Sequence, residues 1–190
     1  MHADLFLREA AAIADSLDRL NIERMAAELA GLRERGGRLF LLGLGGSAAN
    51  CSHAAADFRK LCAIRAMAPT DNVAEFSARA NDEGFDSVFT GWLAATGADD
   101  ADALLVLSVG GGTEIVSRPL TEAVRFARER GLRVLGIVGP VGGVTDDLGH
   151  VVLKVPALGK HITPHTEAFQ AVIWHCLVSH PILQRNPTKW

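Results

Sequence analysis

The sequence predicts an α/β protein in which a doubly wound, mostly parallel sheet of five strands is flanked by helices. Short apolar runs alternate along the chain with longer segments of helical periodicity. The runs are apolar almost throughout, which is typical of strands buried on both faces of a parallel sheet. Two of them end in glycine- and hydroxyl-rich turns that precede a helix, as in βα units. We expect residues 1–190 to form a single domain, because no linker or repeat interrupts the pattern.

The composition favours a cytoplasmic globular protein. The net charge is −3 and no basic stripe is present, which argues against a nucleic-acid partner. No apolar run approaches the roughly 20 residues that cross a bilayer, so no membrane partner is expected. The N-terminus does not resemble a signal peptide. The three cysteines form no CxxC pair, which favours a reducing compartment over a disulfide framework.

The first elements are expected to be helices within residues 1–36. Apolar residues recur there at helical spacing, and Asn21 marks the expected break between two helices. A long amphipathic segment before the first strand also suggests an oligomer interface.

The remaining elements alternate between strand and helix. The expected strands are residues 39–42, 63–68, 103–107, 132–138 and 151–155. Helices are expected directly after residue 47, over 73–80 and 87–95, after residue 113 as far as 130, and from 163 or 166 to 178. Residues 81–86 are polar and glycine-containing, and are expected to form a turn.

Two turns have the composition of an anion site, at residues 43–47 and 108–113. Backbone N–H groups at a helix N-terminus attract phosphate, and both turns follow a strand of one parallel sheet. Neither turn is a Walker A loop, and the first is a poor dinucleotide fingerprint. Each turn alone is also compatible with a purely structural role. Together they favour phosphate binding through Gly45, Gly46, Ser47, Ser108 and Thr113.

Four titratable residues on two helices form a candidate metal or proton-transfer site. His53 and Asp57 are four residues apart and share one helix face. Glu167 and His175 are about 80° apart around the axis of the last helix. Two imidazoles and two carboxylates suit zinc or a similar divalent ion. The alternative is that the histidines are ordinary hydrogen-bonded residues and that Glu167 is a first-turn acid favoured by the helix dipole.

These motifs resemble the sugar isomerase (SIS) domain family, and within it the phosphoheptose isomerases. The resemblance rests on the GLGGS turn at residues 43–47, the block NDEGFD at 81–86, the turn at 108–113 and the C-terminal Glu/His helix. It implies a metal-dependent aldose–ketose isomerase, an intramolecular oxidoreductase that interconverts sedoheptulose 7-phosphate and glycero-manno-heptose 7-phosphate through an enediol(ate). It also implies a homotetramer with zinc as the cofactor.

The resemblance assigns substrate contacts to several positions. Ser47 and Ser108 match phosphate-binding hydroxyls of the family, and Thr113 replaces a serine. Asp82, next to Asn81, matches an aspartate that contacts the substrate.

The resemblance also implies a metal site with catalytic groups. His53 matches a zinc ligand, and His175 matches a ligand that acts as acid or base. Asp57 stands where the family has a glutamate that is both ligand and catalytic base. Glu167 stands where a glutamine ligand is usual and is also expected to contact the substrate.

Several departures from the family pattern leave a second hypothesis open. Leu44 replaces an asparagine, residues 109–112 lose hydroxyl and amide groups, and Asp57 is one methylene shorter than glutamate. Some SIS proteins are non-catalytic and bind a sugar phosphate or a protein such as the bacterial replication initiator, and residues 47–50 resemble that branch. We favour the enzyme, because groups capable of chemistry are kept at all four candidate site positions.

Overall fold

Five parallel strands form the single sheet of the computed structural model, which describes residues 1–189. The strands are β1 Arg38–Leu42, β2 Arg65–Met67, β3 Ala103–Ser108, β4 Arg133–Val138 and β5 Val151–Lys154. Their order in the sheet is β2-β1-β3-β4-β5, and every pair is parallel. The predicted fold class is therefore confirmed.

Eight α-helices connect and cover the strands. They are α1 His2–Ser16, α2 Arg19–Glu34, α3 Gly46–Cys62, α4 Val73–Asp82, α5 Val88–Ala95, α6 Arg118–Glu129, α7 Gly143–Leu148 and α8 Ile162–Val178. Short 3₁₀ turns occupy Pro69–Asp71 and Phe85–Ser87. Within residues 1–189, none of these helices has the length and apolar character needed to cross a membrane.

The strand order places the carboxyl ends of β1 and β3 side by side. Leu42 pairs with Val106 near the end of β1, and the chain leaves β1 toward β2 on one side while β3 lies on the other. This reversal of strand order is where ligands bind in open α/β sheets. Both predicted anion turns follow these two strands, so they reach the same edge of the sheet.

Alternate side chains of the central strands enter two separate cores. On β1, Leu39 and Leu41 pack against α2, α3 and α8, whereas Phe40 and Leu42 pack against α5 and α6. Strand residues point alternately to opposite faces, so a continuously apolar strand fills both cores. Trp174 of α8 is the largest fully buried side chain of the described chain.

Two predicted boundaries in the N-terminal half were wrong. The break between the first helices lies at residues 17–18 and not at Asn21, because the Asp18 carboxylate accepts a hydrogen bond from the backbone N–H of Asn21 (3.1 Å) and caps α2. Helix α4 continues through Asn81 and Asp82, which were expected in a turn; the chain leaves the helix only before Gly84, whose φ of +90° ends helical geometry.

Two further differences concern the second half. Helix α6 begins at Arg118 rather than directly after the turn at 108–113, since Thr113 closes an additional local turn with Val116. The short helix α7 was not predicted at all. It has six residues and contains two acidic residues and a glycine, too short a stretch to show helical periodicity.

A buried ion pair joins β1 to the start of β3. The Asp102 carboxylate is 2% exposed and accepts hydrogen bonds from the backbone N–H, Nε and Nη2 of Arg38 and from the backbone N–H of Asp99. Burial alone raises the pKa of Asp102, but these hydrogen bonds outweigh it and hold the pKa below its ordinary value. Asp102 therefore stabilises the fold as a carboxylate.

We expect Asp102→Ala to destabilise the fold by about 3–5 kcal/mol, because Arg38 loses its buried partner. A lowered folded-state pKa stabilises the fold above the unfolded value of about 4 and loses that effect as the pH falls toward the folded value. Urea titrations at pH 7 and pH 3 measure both effects, with the exposed Asp86, paired with Arg118, replaced by asparagine as the control. An equal, small loss for both variants at pH 7 would contradict the role of the buried pair.

Candidate active site

The two predicted anion turns line one cavity of about 320 Å³, which we call the hydroxyl cavity. Gly45 precedes α3 with a φ of +59°, so the chain enters the helix with Ser47 in its first turn. The cavity is lined by Leu44, Ser47, Ser108, Val109, Gly110, Thr113, Val116, Ser117 and Glu167. All three predicted hydroxyl residues are therefore brought together.

The three hydroxyls differ in what they can offer a ligand. Ser47 Oγ accepts a hydrogen bond from Gln170 Nε2 (3.0 Å), and Ser108 Oγ accepts one from the backbone N–H of Gly111 (3.0 Å). Within residues 1–189 neither serine proton has a protein acceptor, so both can be donated to an anion. The Thr113 hydroxyl instead donates to the Val116 carbonyl (3.2 Å) and holds the turn.

A pair of amide side chains that the sequence did not predict, half-buried Asn50 and buried Gln170, orients Ser47. Gln170 is fully buried, and its Oε1 accepts a hydrogen bond from Asn50 Nδ2 (3.0 Å). Asn50 Nδ2 also donates to the backbone carbonyl of Glu167 (3.0 Å). Asn50 and Gln170 lie one helical turn after Ser47 and Glu167, a spacing that could have drawn attention to them. The pair ties α3 to α8 at the hydroxyl cavity.

The electrostatics of the hydroxyl cavity are unusual for an anion site. Glu167 lines it, and no arginine or lysine is among the lining residues. The Glu167 carboxylate lies against Gly46, where an added Cβ would be 2.6 Å from its Oε2. An anion here would be held by serine hydroxyls, backbone N–H groups and the helix dipole. A side chain at position 46 would therefore displace the Glu167 carboxylate from its present position.

The second group of predicted residues, His53, Asp57 and His175, forms what we call the His–Asp cluster. Their ligand atoms lie within 4.8 Å of one another, with His53 Nε2 3.8 Å from Asp57 Oδ2. The cluster opens into a cavity of about 530 Å³ that Lys60 and Lys189 also line. Helix α3 supplies the first two residues and α8 the third, as the sequence predicts.

Trp174 holds the two imidazoles of the His–Asp cluster. Its buried indole stacks on His175 with ring centroids 3.5 Å apart and meets His53 edge-on at 4.7 Å. His175 Nδ1 donates to the carbonyl of Ala171 (2.7 Å), which leaves Nε2 free to bind a metal or a proton. Sequence reasoning missed Trp174, because an aromatic residue on an apolar helix face looks like ordinary core.

The donor set of the His–Asp cluster fits a divalent ion. Two imidazoles and one carboxylate with an open fourth position are typical of catalytic zinc, and the Ala171 carbonyl fixes the tautomer of His175. Glu167 does not join this cluster. It is eight residues before His175, so a similar orientation around α8 still leaves it about 12 Å away along the axis.

The remaining predicted residues lie elsewhere. Asn81 and Asp82 end α4 and are exposed, and Asn81 Nδ2 donates to Asp82 Oδ1 (2.7 Å). Neither residue lines the hydroxyl cavity or the cavity at the His–Asp cluster.

Comparison with known proteins places the chain in a family. The model of the SIS domain matches residues 6–139. A phosphoheptose isomerase from Geobacter sulfurreducens is 34% identical over 177 residues, which are 89% of this chain and 89% of that protein. The lincomycin biosynthesis protein LmbN from Streptomyces lincolnensis is 36% identical over 159 residues, 76% of this chain. The chain spans only 56% of the length of the Streptomyces protein.

A solved structure has the same fold over almost the whole chain. The phosphoheptose isomerase from Neisseria gonorrhoeae superposes with a TM-score of 0.81 at 26% identity, covering 93% of this chain and 92% of that one. The resemblance found in the motifs is thus matched by sequence identity and by the fold. The chain belongs to the SIS domain family and is related within it to the phosphoheptose isomerases.

Proposed function

We propose that the protein is an aldose–ketose isomerase acting on a sugar phosphate, with sedoheptulose 7-phosphate as substrate and glycero-manno-heptose 7-phosphate as product. The observation that carries the proposal is that one helix pair, α3 and α8, bears both an anion-binding end and a cluster of acid–base groups. The similarity to phosphoheptose isomerases supports the choice of substrate.

The spacing along α3 suits a long sugar phosphate. Ser47 precedes His53 by six residues and Asp57 by ten, which corresponds to about 9 and 15 Å of helix rise. The phosphate would bind at the hydroxyl cavity, where Ser47 and Ser108 donate hydrogen bonds. Binding energy from that distant group would position the reacting carbons at the His–Asp cluster.

Asp57 and His175 would carry the proton transfers. Asp57 removes the proton from the carbon next to the carbonyl, and the electron pair forms the enediol(ate). While it is not bound to a metal, His175 Nε2 would move a proton between the carbonyl oxygen and the neighbouring hydroxyl, since its Nδ1 is already bonded to Ala171. Return of a proton to the former carbonyl carbon completes the isomerisation.

His53, Asp57 and His175 would hold the metal, for which zinc is our choice. A divalent ion there would polarise the carbonyl and the adjacent hydroxyl. Asp57 has two carboxylate oxygens, so one can face a metal while the other accepts the proton.

We also propose a homo-oligomeric, cytoplasmic protein, with a tetramer as the expected assembly. Helix α1 exposes Leu5 and Leu7, which supports self-association through the N-terminal helices. Cys51, Cys62 and Cys176 are all free, which fits a reducing compartment.

The test is to offer a panel of ketose phosphates with and without a chelator and to measure aldose formation. Sedoheptulose 7-phosphate should be converted, and chelation should slow conversion by about 100-fold or more until zinc is restored, as expected for loss of a Lewis acid. Stoichiometric binding of the sugar phosphate without turnover would instead indicate a non-catalytic SIS protein.

A further inference from the structure

A second group of metal-binding side chains lies away from the candidate active site. Glu9, His161 and His165 place their ligand atoms within 4.8 Å of one another, and we call them the Glu9 cluster. Glu9 Oε2 is 2.8 Å from His161 Nδ1 and 2.9 Å from His165 Nε2. We propose that the Glu9 cluster is a structural zinc site that fastens α1 to the start of α8.

The geometry is close to that of a zinc site. Tetrahedral zinc with ligand bonds of 2.0–2.1 Å holds its ligand atoms about 3.3 Å apart. The two distances from Glu9 Oε2 to the imidazole nitrogens are shorter than this by about half an ångström, a shift that small side-chain rotations can supply. Two imidazoles and one carboxylate supply three of the four ligands of a closed structural site, and His2, whose ring centroid lies 5.4 Å from that of His161, can supply the fourth by a side-chain rotation.

The carboxylate is available as a ligand. Hydrogen bonds from His161 and then His165 lower the pKa of Glu9, so it is ionised at neutral pH. Its position is enclosed: an added Cβ at Gly159 would lie 2.2 Å from Glu9 Oε1. Phe6 covers the other side of the cluster by stacking on His165, with ring centroids 4.2 Å apart.

The hydrogen bonds alone do not account for the burial of His165. This residue is 4% exposed, and its Nδ1 is buried without a partner among residues 1–189. One orphaned ring nitrogen costs free energy in either tautomer. A metal bond at Nε2 would leave Nδ1 without a partner, but it would fix the proton on Nδ1 and add binding free energy that is present only when the chain is folded.

Zinc at the Glu9 cluster would hold α1 against the rest of the protein. Helix α1 has 15 residues, of which only Glu9 and Ile13 are buried, so little apolar packing holds it to the body. Its cluster partners on α8 are more than 150 residues away in sequence. A cross-link over such a long loop removes much entropy from the unfolded chain. The link also fixes the first turn of α8, two residues before Glu167.

Zinc binding to a chain without the His–Asp cluster tests the proposal. The variant His53→Ala/His175→Ala, stripped with chelator and desalted after addition of zinc, should retain one zinc per chain by mass spectrometry. Zinc at 100-fold above its Kd should raise its Tm by about 5–10 °C. Adding His161→Gln to this variant should remove both the bound zinc and the rise in Tm. The control substitution His180→Gln breaks the exposed His180–Glu23 contact of 2.9 Å and should change neither quantity.

Two results would overturn the proposal. One is absence of bound zinc in the folded His53→Ala/His175→Ala chain, which would leave the Glu9 cluster as a hydrogen-bonded contact. The other is unchanged zinc content after His161→Gln. If circular dichroism shows that the chain with His161→Gln does not fold, Glu9→Gln replaces that substitution. The zinc content of the folded His53→Ala/His175→Ala chain then still decides whether the Glu9 cluster binds zinc. None of these measurements depends on isomerase activity, so they are independent of the proposed function.

Discussion

Asp57→Asn is expected to lower kcat for sugar-phosphate isomerisation by about 10²–10⁴-fold, the usual contribution of a positioned general base. The amide has nearly the same shape but cannot accept the proton from carbon. Ser47 and Ser108 are unchanged in this variant, so binding of the phosphate should change by less than about threefold. Steady-state kinetics, together with calorimetric titration of the substrate, separates the two effects.

Two further variants serve as controls for Asp57→Asn. Asp86→Asn removes an exposed aspartate outside the site and should leave kcat unchanged. Asp57→Glu lengthens the side chain by one methylene and should keep substantial activity, because it still presents a carboxylate to the His–Asp cluster. If Asp57→Asn retains the activity of the parent protein, Asp57 is not the base.

Gly111→Ala is expected to destabilise the protein by about 3 kcal/mol or more, since it combines two costs. Gly111 has a φ of +71°, where an L side chain is strained, and an added Cβ would lie 1.7 Å from the carbonyl oxygen of Gly142. That oxygen belongs to backbone and cannot rotate away, so the turn at 108–113 must shift. The expected fall in Tm is roughly 6–12 °C for a chain of this size.

Two other glycines serve as matched controls. Gly97 also has a positive φ (+63°) but no atom near an added Cβ, so Gly97→Ala should cost only about 1–2 kcal/mol from strain. Gly110, in the same turn as Gly111, has open space and no positive φ, and Gly110→Ala should stay within about 0.5 kcal/mol. Similar Tm values for Gly111→Ala and Gly110→Ala would contradict the backbone collision.

The sheet and the meeting of the two anion turns could be predicted because both depend on local sequence. Strand β1 is apolar at every position after Arg38, as a strand covered on both faces must be. Ser47 follows β1 and Ser108 is the last residue of β3, and parallel strands bring their carboxyl ends to one edge of the sheet. That the two turns also lie side by side depends on the strand order, which makes β1 and β3 neighbours.

The position of Glu167 could not be predicted from angles around a helix alone. Glu167 and His175 face similar directions on α8, but the rise between them separates two different cavities. Asn50 and Gln170 meet only because α3 packs on α8 in one particular register. The Glu9 cluster likewise depends on where α1 docks, which no local pattern encodes.

Proton transfer at the His–Asp cluster should leave an isotopic label when the protein isomerises sedoheptulose 7-phosphate in D₂O. The Asp57 side chain is about one-fifth exposed, so a proton that it accepts can exchange with solvent. Proton NMR should show the aldose accumulating with deuterium at C2, and Asp57→Asn should slow its formation by the same factor of about 10²–10⁴. Absence of aldose, or aldose that carries no deuterium, would contradict the account.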